Sequence, residues 1–174
     1  MVLRSQVREF DGSSLAGFDF LIDRVGALMP SVIWIDDAAE FMLAPLARMM
    51  GRRGWDVTVF TSYDEATAGL DRLAEKTRCS GEAFPDVICD LVIPRSGHGA
   101  FDSFDTGFGI IEKVACLGAR RLVIFSVTGM AQICHQLARV EAEYPGTKFF
   151  VLEKTSGGPR ELVDALVTYL TPLA

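Results

Sequence analysis

The chain has 174 residues, 49% apolar and 23% charged, which is enough to bury a core and excludes a disordered chain. Its 17 basic and 23 acidic residues leave a net charge of −6, so it lacks the basic face of a nucleic-acid binder. No apolar run reaches the roughly 18 residues of a membrane span. Asp19, Asp23 and Arg24 interrupt the N-terminal apolar stretch that a secretory signal would need unbroken, so a cytoplasmic protein is expected.

Residues 1–30 read as a helical extension. Ser13 and Ser14 offer a cap to a helix whose Leu15, Phe18, Leu21, Ile22, Val25, Leu28 and Met29 fall on one stripe, and Pro30 marks its end. That stripe predicts an interface, with the chain's own surface, a second copy in a homodimer, or a partner as its cover. Residues 31–174 read as the second unit. Val32-Ile33-Trp34-Ile35 is a short apolar run ended by Asp36-Asp37, and similar runs follow at Asp56–Phe60, Asp86–Cys89, Leu122–Phe125 and Lys148–Leu152. Runs apolar on both faces suit the covered strands of a parallel sheet.

Helical patterns alternate with these runs at 39–52, 63–76, 107–117, 130–143 and 159–170. Pro45 predicts a kink or a late start in the first. Gly51, Gly54, Gly81 and Gly118 are placed as helix stops. The order (βα)₅ implies an open, doubly wound parallel sheet with helices on both faces. The four cysteines, Cys79, Cys89, Cys116 and Cys134, form no CxxC pair and no zinc spacing. They read as small buried hydrophobes in a reducing compartment.

Sheets of this kind bind ligands at the carboxyl ends of their strands. The polar residues there are Asp36-Asp37 after the first strand, Asp90 after the third, Ser126 after the fourth with Thr128 nearby, and Glu153-Lys154 after the fifth. Three carboxylates in one crevice repel each other, and a hard divalent cation relieves that conflict. Mg²⁺ accepts one or two carboxylates and favours phosphate oxygens. An ammonium and a hydroxyl complete a set that binds a phosphoryl group, and a carboxylate can itself be the nucleophile.

With Asp36-Asp37, the segment Cys89-Asp90-Leu91-Val92-Ile93-Pro94, Ser126 and Lys154 in this order, the sequence resembles the receiver domain of two-component response regulators over about 31–172. The resemblance implies a flavodoxin-like fold, strand order 2-1-3-4-5, with the N-terminal helix as an extra element. It implies that Asp90 accepts a phosphoryl group from a histidine kinase or phosphotransfer protein. Asp37, Asp90 and the backbone carbonyl of Val92 would hold Mg²⁺, with Asp36 acting directly or through water. Lys154 would pair with the phosphoryl group and Ser126 would swing toward it.

No output unit is read after the last helical pattern, so a changed protein–protein contact is the expected output of a phosphorelay protein that is not a conventional enzyme, self-dephosphorylation aside. The family usually carries proline after the lysine and an aromatic residue three before it; here these are Thr155 and Val151. The segment 95–106 reads as a loop about nine residues longer than usual. Activation is therefore expected in that loop and near Ser126, without an inward-swinging ring.

Other readings stand beside this one. Asp36-Asp37 suits a helix cap, Lys154 a solvated lysine, and Thr128 competes with Ser126. His98 and Asp102 hint at a second metal site, and a flexible polar loop is the plainer reading. His135 reads as a surface or half-buried residue. Cys89 should point away from the strand-end site. A degenerate receiver that binds partners without phosphorylation is one alternative function. A haloacid-dehalogenase-type phosphatase is another, opposed by the order of the acidic residues and by Val92 where a second aspartate would stand.

Overall fold

A computed structural model of the chain describes residues 29–40, 43–94, 104–127 and 130–171. The expected N-terminal helix, most of the expected 95–106 loop with His98 and Asp102, and Thr128 lie outside the described residues.

Five strands, β1 (Ser31–Ile35), β2 (Asp56–Phe60), β3 (Asp86–Cys89), β4 (Arg121–Ser126) and β5 (Lys148–Glu153), pair in parallel in the order β2-β1-β3-β4-β5. The helices are α1 (Leu43–Arg52), α2 (Tyr63–Ser80), α3 (Phe104–Cys116), α4 (Met130–Glu143) and α5 (Pro159–Leu170). This is the flavodoxin-like doubly wound sheet that the sequence implied. None of the helices among the described residues is long and apolar enough to cross a membrane.

Side chains alternate across a strand with period two, and this divides the core in two. Ile33, Ile35, Val87, Cys89, Leu122 and Ile124 pack with residues of α2, α3 and α4. Val32, Trp34, Ile88, Val123, Phe125 and Leu152 pack with residues of α1 and α5. The strand order reverses between β1 and β3, and a crevice for a ligand opens at such a reversal.

Several boundaries differ from the sequence reading. Residues Asp37–Glu40 form a 3-10 turn, so α1 starts late, at Leu43 rather than 39. Pro45 then sits in the first turn, where its missing N–H costs nothing. Helix α2 continues to Ser80, where Gly81 closes it at φ 73° and donates its N–H to the Thr77 carbonyl. Gly54 and Gly118 also have positive φ, but Gly51 lies inside α1 and stops nothing. Helix α3 starts at Phe104, three residues before the expected 107.

The edge strands β2 and β5 are only half covered, because each has a neighbour on one side alone. The cysteines correct the sequence reading most. Cys89 is buried, but Cys79, Cys116 and Cys134 are exposed. Larger apolar side chains set the phase of each helix, as Ile133 and Leu137 do around Cys134, and a small thiol does not override them.

The first turn of α3 rests directly on the chain after Asp90. A Cβ at Gly107 would lie 2.2 Å from the Leu91 carbonyl oxygen and 2.4 Å from its Cα. The Gly107 N–H donates to that carbonyl at 3.1 Å. Backbone meets backbone here, so neither side can yield by a change of rotamer. Gly107→Ala should cost about 1–3 kcal/mol, lowering the thermal midpoint by several degrees. A melting curve identical to that of the wild type would show that α3 is not held at this contact.

Candidate functional site

The ladder of the sheet continues past the strand ends and fixes the backbone of each expected residue. The Asp36 N–H donates to the Phe60 carbonyl at 3.0 Å, the Asp90 N–H to Ile35 at 2.8 Å, and the Lys154 N–H to Ser126 at 2.9 Å. Alternation then sorts the side chains. Asp36 follows Trp34 by two residues, Asp90 follows Ile88, and Lys154 follows Leu152. All three therefore share the parity of the α1/α5 layer, which brings groups far apart in sequence onto one side of the sheet.

The result is a buried cluster of charge. Asp36 is 0% and Asp90 6% exposed. Lys154 Nζ donates to Asp90 Oδ2 at 2.6 Å and lies 2.7 Å from Asp36 Oδ2. The second oxygen of each carboxylate is held locally: Ala38 N–H donates to Asp36 Oδ1 at 3.0 Å, and Leu91 N–H to Asp90 Oδ1 at 2.6 Å. Asp36 thus caps the 3-10 turn, as the plainer reading had it, and also belongs to the cluster. Asp37 is exposed at the rim.

Burial pushes the Asp36 carboxyl up from 3.8 to about 6, against the pull of the Lys154 charge. Burial also works against the Lys154 ammonium, but the Asp36 and Asp90 carboxylates outweigh it and raise its pKa. The Cys89 thiol is pushed well up by burial and by the nearby Asp90 and Asp36 charges, so it stays protonated. It packs in the α2–α4 layer, on the side of the sheet opposite the carboxylates.

Oxygens of Asp36, Asp37 and Asp90 all lie within 4.8 Å of one another, a group able to hold a divalent cation. The donor set fits. It is all carboxylate, and Asp36 Oδ2 is buried with no aligned hydrogen-bond donor although the ammonium is close. Val92 is half-buried two residues beyond Asp90. Ser126 is buried at the end of β4 and carries the parity of Ile124, toward the other layer. His135 is exposed on α4.

The β4–β5 register pairs Ile124 with Val151 and Phe125 with Leu152. Val151 and Phe149 therefore face the α2–α4 layer, while Phe150 faces α5, stacked on Tyr169 at 4.8 Å. One contact of the site escaped the sequence reading. The Phe125 ring lies beneath Lys154 Nζ, 5.7 Å from it. Its signal in the sequence was parity: Phe125 is the register partner of Leu152, two residues before Lys154.

No family model and no curated protein matches the sequence. Solved structures do. A response regulator receiver domain protein (CheY-like) from Methanospirillum hungatei JF-1 is 15% identical, with 82% of this chain and 94% of that one covered and a TM-score of 0.55. The chemotaxis protein CheY4 of Vibrio cholerae is 16% identical, with 82% and 100% covered and a TM-score of 0.52. A response regulator protein from Burkholderia pseudomallei, solved with a phosphorylated aspartic acid, calcium ion and citrate, is 21% identical, with 82% and 66% covered and a TM-score of 0.53. At these identities the likeness is one of fold: the chain has the fold of response regulator receiver domains, with an acidic cluster suited to a divalent cation at the carboxyl end of its sheet.

Proposed function

We propose that the chain is a response regulator receiver that accepts a phosphoryl group on Asp90 from a phosphohistidine of a histidine kinase or phosphotransfer protein. The observation that carries this reading is the buried Lys154 ammonium, within 2.7 Å of both Asp36 and Asp90 at the strand-order reversal of a receiver fold. The phosphorylated aspartate and calcium ion of the Burkholderia protein support it.

In this reading Asp36, Asp37, Asp90 and the Val92 carbonyl hold Mg²⁺. When bound, the ion neutralises charge on the phosphoryl oxygens. A carboxylate oxygen of Asp90 attacks phosphorus, the P–N bond breaks, and the imidazole leaves with the bonding pair. An acyl phosphate remains on Asp90. Lys154 then pairs with a phosphoryl oxygen, and the Ser126 hydroxyl, which starts with the parity of the other layer, swings to donate to another. The output is a changed protein–protein contact, made in the cytoplasm. Val151, an aliphatic residue behind Ser126, favours a second reading in which partners bind without phosphorylation. The labelling experiment separates the two.

Incubation with a small phosphodonor and Mg²⁺ should give an acid-stable, hydroxylamine-labile label on the wild type and none on Asp90→Asn. Full labelling of Asp90→Asn would overturn the assignment, and an unlabelled wild type would favour the second reading. The raised Asp36 pKa makes a separate prediction. Metal uptake needs the ionised carboxylate, so a proton competes for the site below pH ~6. Mg²⁺ affinity should hold steady above pH 7 and fall by up to about tenfold per unit below 6. Calorimetric titrations that show equal affinity at pH 5 and pH 7 would show that a proton on Asp36 does not compete with the metal.

A further inference from the structure

Lys154 is held by more than its two carboxylates. Its Nζ stands over the Phe125 ring at 5.7 Å from the centroid, inside the ~6 Å range over which an aromatic face attracts a cation. Water competes strongly with such contacts at a protein surface. Here the Lys154 side chain is 6% exposed and Phe125 is 1% exposed, so that competition is largely removed.

The ring is itself fixed. Trp34 meets it edge-on, with centroids 5.5 Å apart and planes at 80°. Trp34 is fully buried two residues before Asp36, and its indole Nε1 has no hydrogen-bond partner among the described residues. A buried indole N–H without a partner forgoes a hydrogen bond, so packing must account for the placement of this ring. Parity places Trp34, Phe125 and Lys154 on the same side of the sheet as Asp36 and Asp90. Leucine in place of Phe125 would fill the core and offer the ammonium no ring face.

We propose that Phe125, braced by Trp34, is a positioning residue for Lys154: the ring face seats the ammonium between Asp36 and Asp90. The part of this proposal that concerns phosphoryl transfer rests on the reading of Asp90 given above, and the seat itself does not. When the carboxylates turn to a cation, the ammonium loses part of its hold and shifts over the ring, and the ring shifts against Trp34. Trp34 therefore reports the state of the site.

Two measurements on the full chain test this. The first needs neither metal nor phosphodonor. In protein labelled at the lysine ε-carbons, with Lys154→Arg to assign the signal, the Lys154 ε-protons should be displaced upfield by the ring current. Phe125→Leu should abolish that displacement and Phe125→Tyr should keep it. An undisplaced signal in the wild type overturns the seat outright, whether or not the leucine variant folds.

The second measurement uses a Trp55→Phe background, which leaves Trp34 as the sole tryptophan of the chain's two. Mg²⁺, alone and with beryllofluoride, should change the Trp34 emission. Phe125→Leu should lose that response and take up phosphate from acetyl phosphate about tenfold more slowly. Its Mg²⁺ affinity by calorimetry should stay within about twofold of the wild type, and Phe125→Tyr should restore rate and response. Equal loss in the tyrosine and leucine variants would mark Phe125 as packing alone and overturn the proposal. A wild type that shows the upfield lysine signal but neither binds Mg²⁺ nor labels would overturn the reading of Asp90 and leave the seat standing.

Discussion

One ammonium shared between two buried carboxylates governs the carboxyl edge of the sheet. Removing an ion from water costs several kcal/mol even after relaxation, so Asp36 and Asp90 are tolerable there only with Lys154 between them. The compensation is incomplete. Two carboxylates against one ammonium leave a negative charge, and Asp37 at the rim adds another. Burial raises the Asp36 pKa in spite of Lys154, and the Asp90 charge adds to the rise. A cluster that is one or two positive charges short, and built wholly from oxygen donors, suits a hard divalent cation better than it suits its own isolation.

The same sheet separates the cluster from the rest of the core. Charge collects on the α1/α5 side, because Asp36, Asp90 and Lys154 share one parity, while Cys89, Ile124 and Val151 face the opposite layer. A ring at 151 would belong to that opposite layer, beside Ser126. Two large aromatic residues stand on the cluster's own side, with Trp34 edge-on to Phe125 and Phe125 under the lysine. Any change in the hold on Lys154 is thus passed first to the packing of α1 and α5.

The ends of the elements show where local rules give way. Asp36 serves as a turn cap and as a member of the charged cluster, through different oxygens. Gly107 lets α3 start earlier than its apolar pattern suggests, since the helix can settle onto the backbone after Asp90. Gly51 falls in the last turn of α1, a helix whose buried Leu43, Leu46 and Met50 all precede it. At the two glycines packing or backbone contact outweighed a tendency of roughly 1 kcal/mol.

The sequence by itself determined the five strands, their alternation with helices, and the residues at the strand ends that merit chemical attention. Apolar runs, helical stripes and the polar residues that end them are local, and local patterns are written along the chain. Parity was also present in it: Asp36, Asp90 and Lys154 each stand two residues beyond a strand position of one layer. The resemblance also implied which strands are neighbours, and only the tertiary structure showed carboxylates and ammonium within hydrogen-bonding distance. It alone showed Phe125 beneath the lysine and left three cysteines in water, since a core phenylalanine and a ring that seats a cation look alike until β4 and β5 lie side by side.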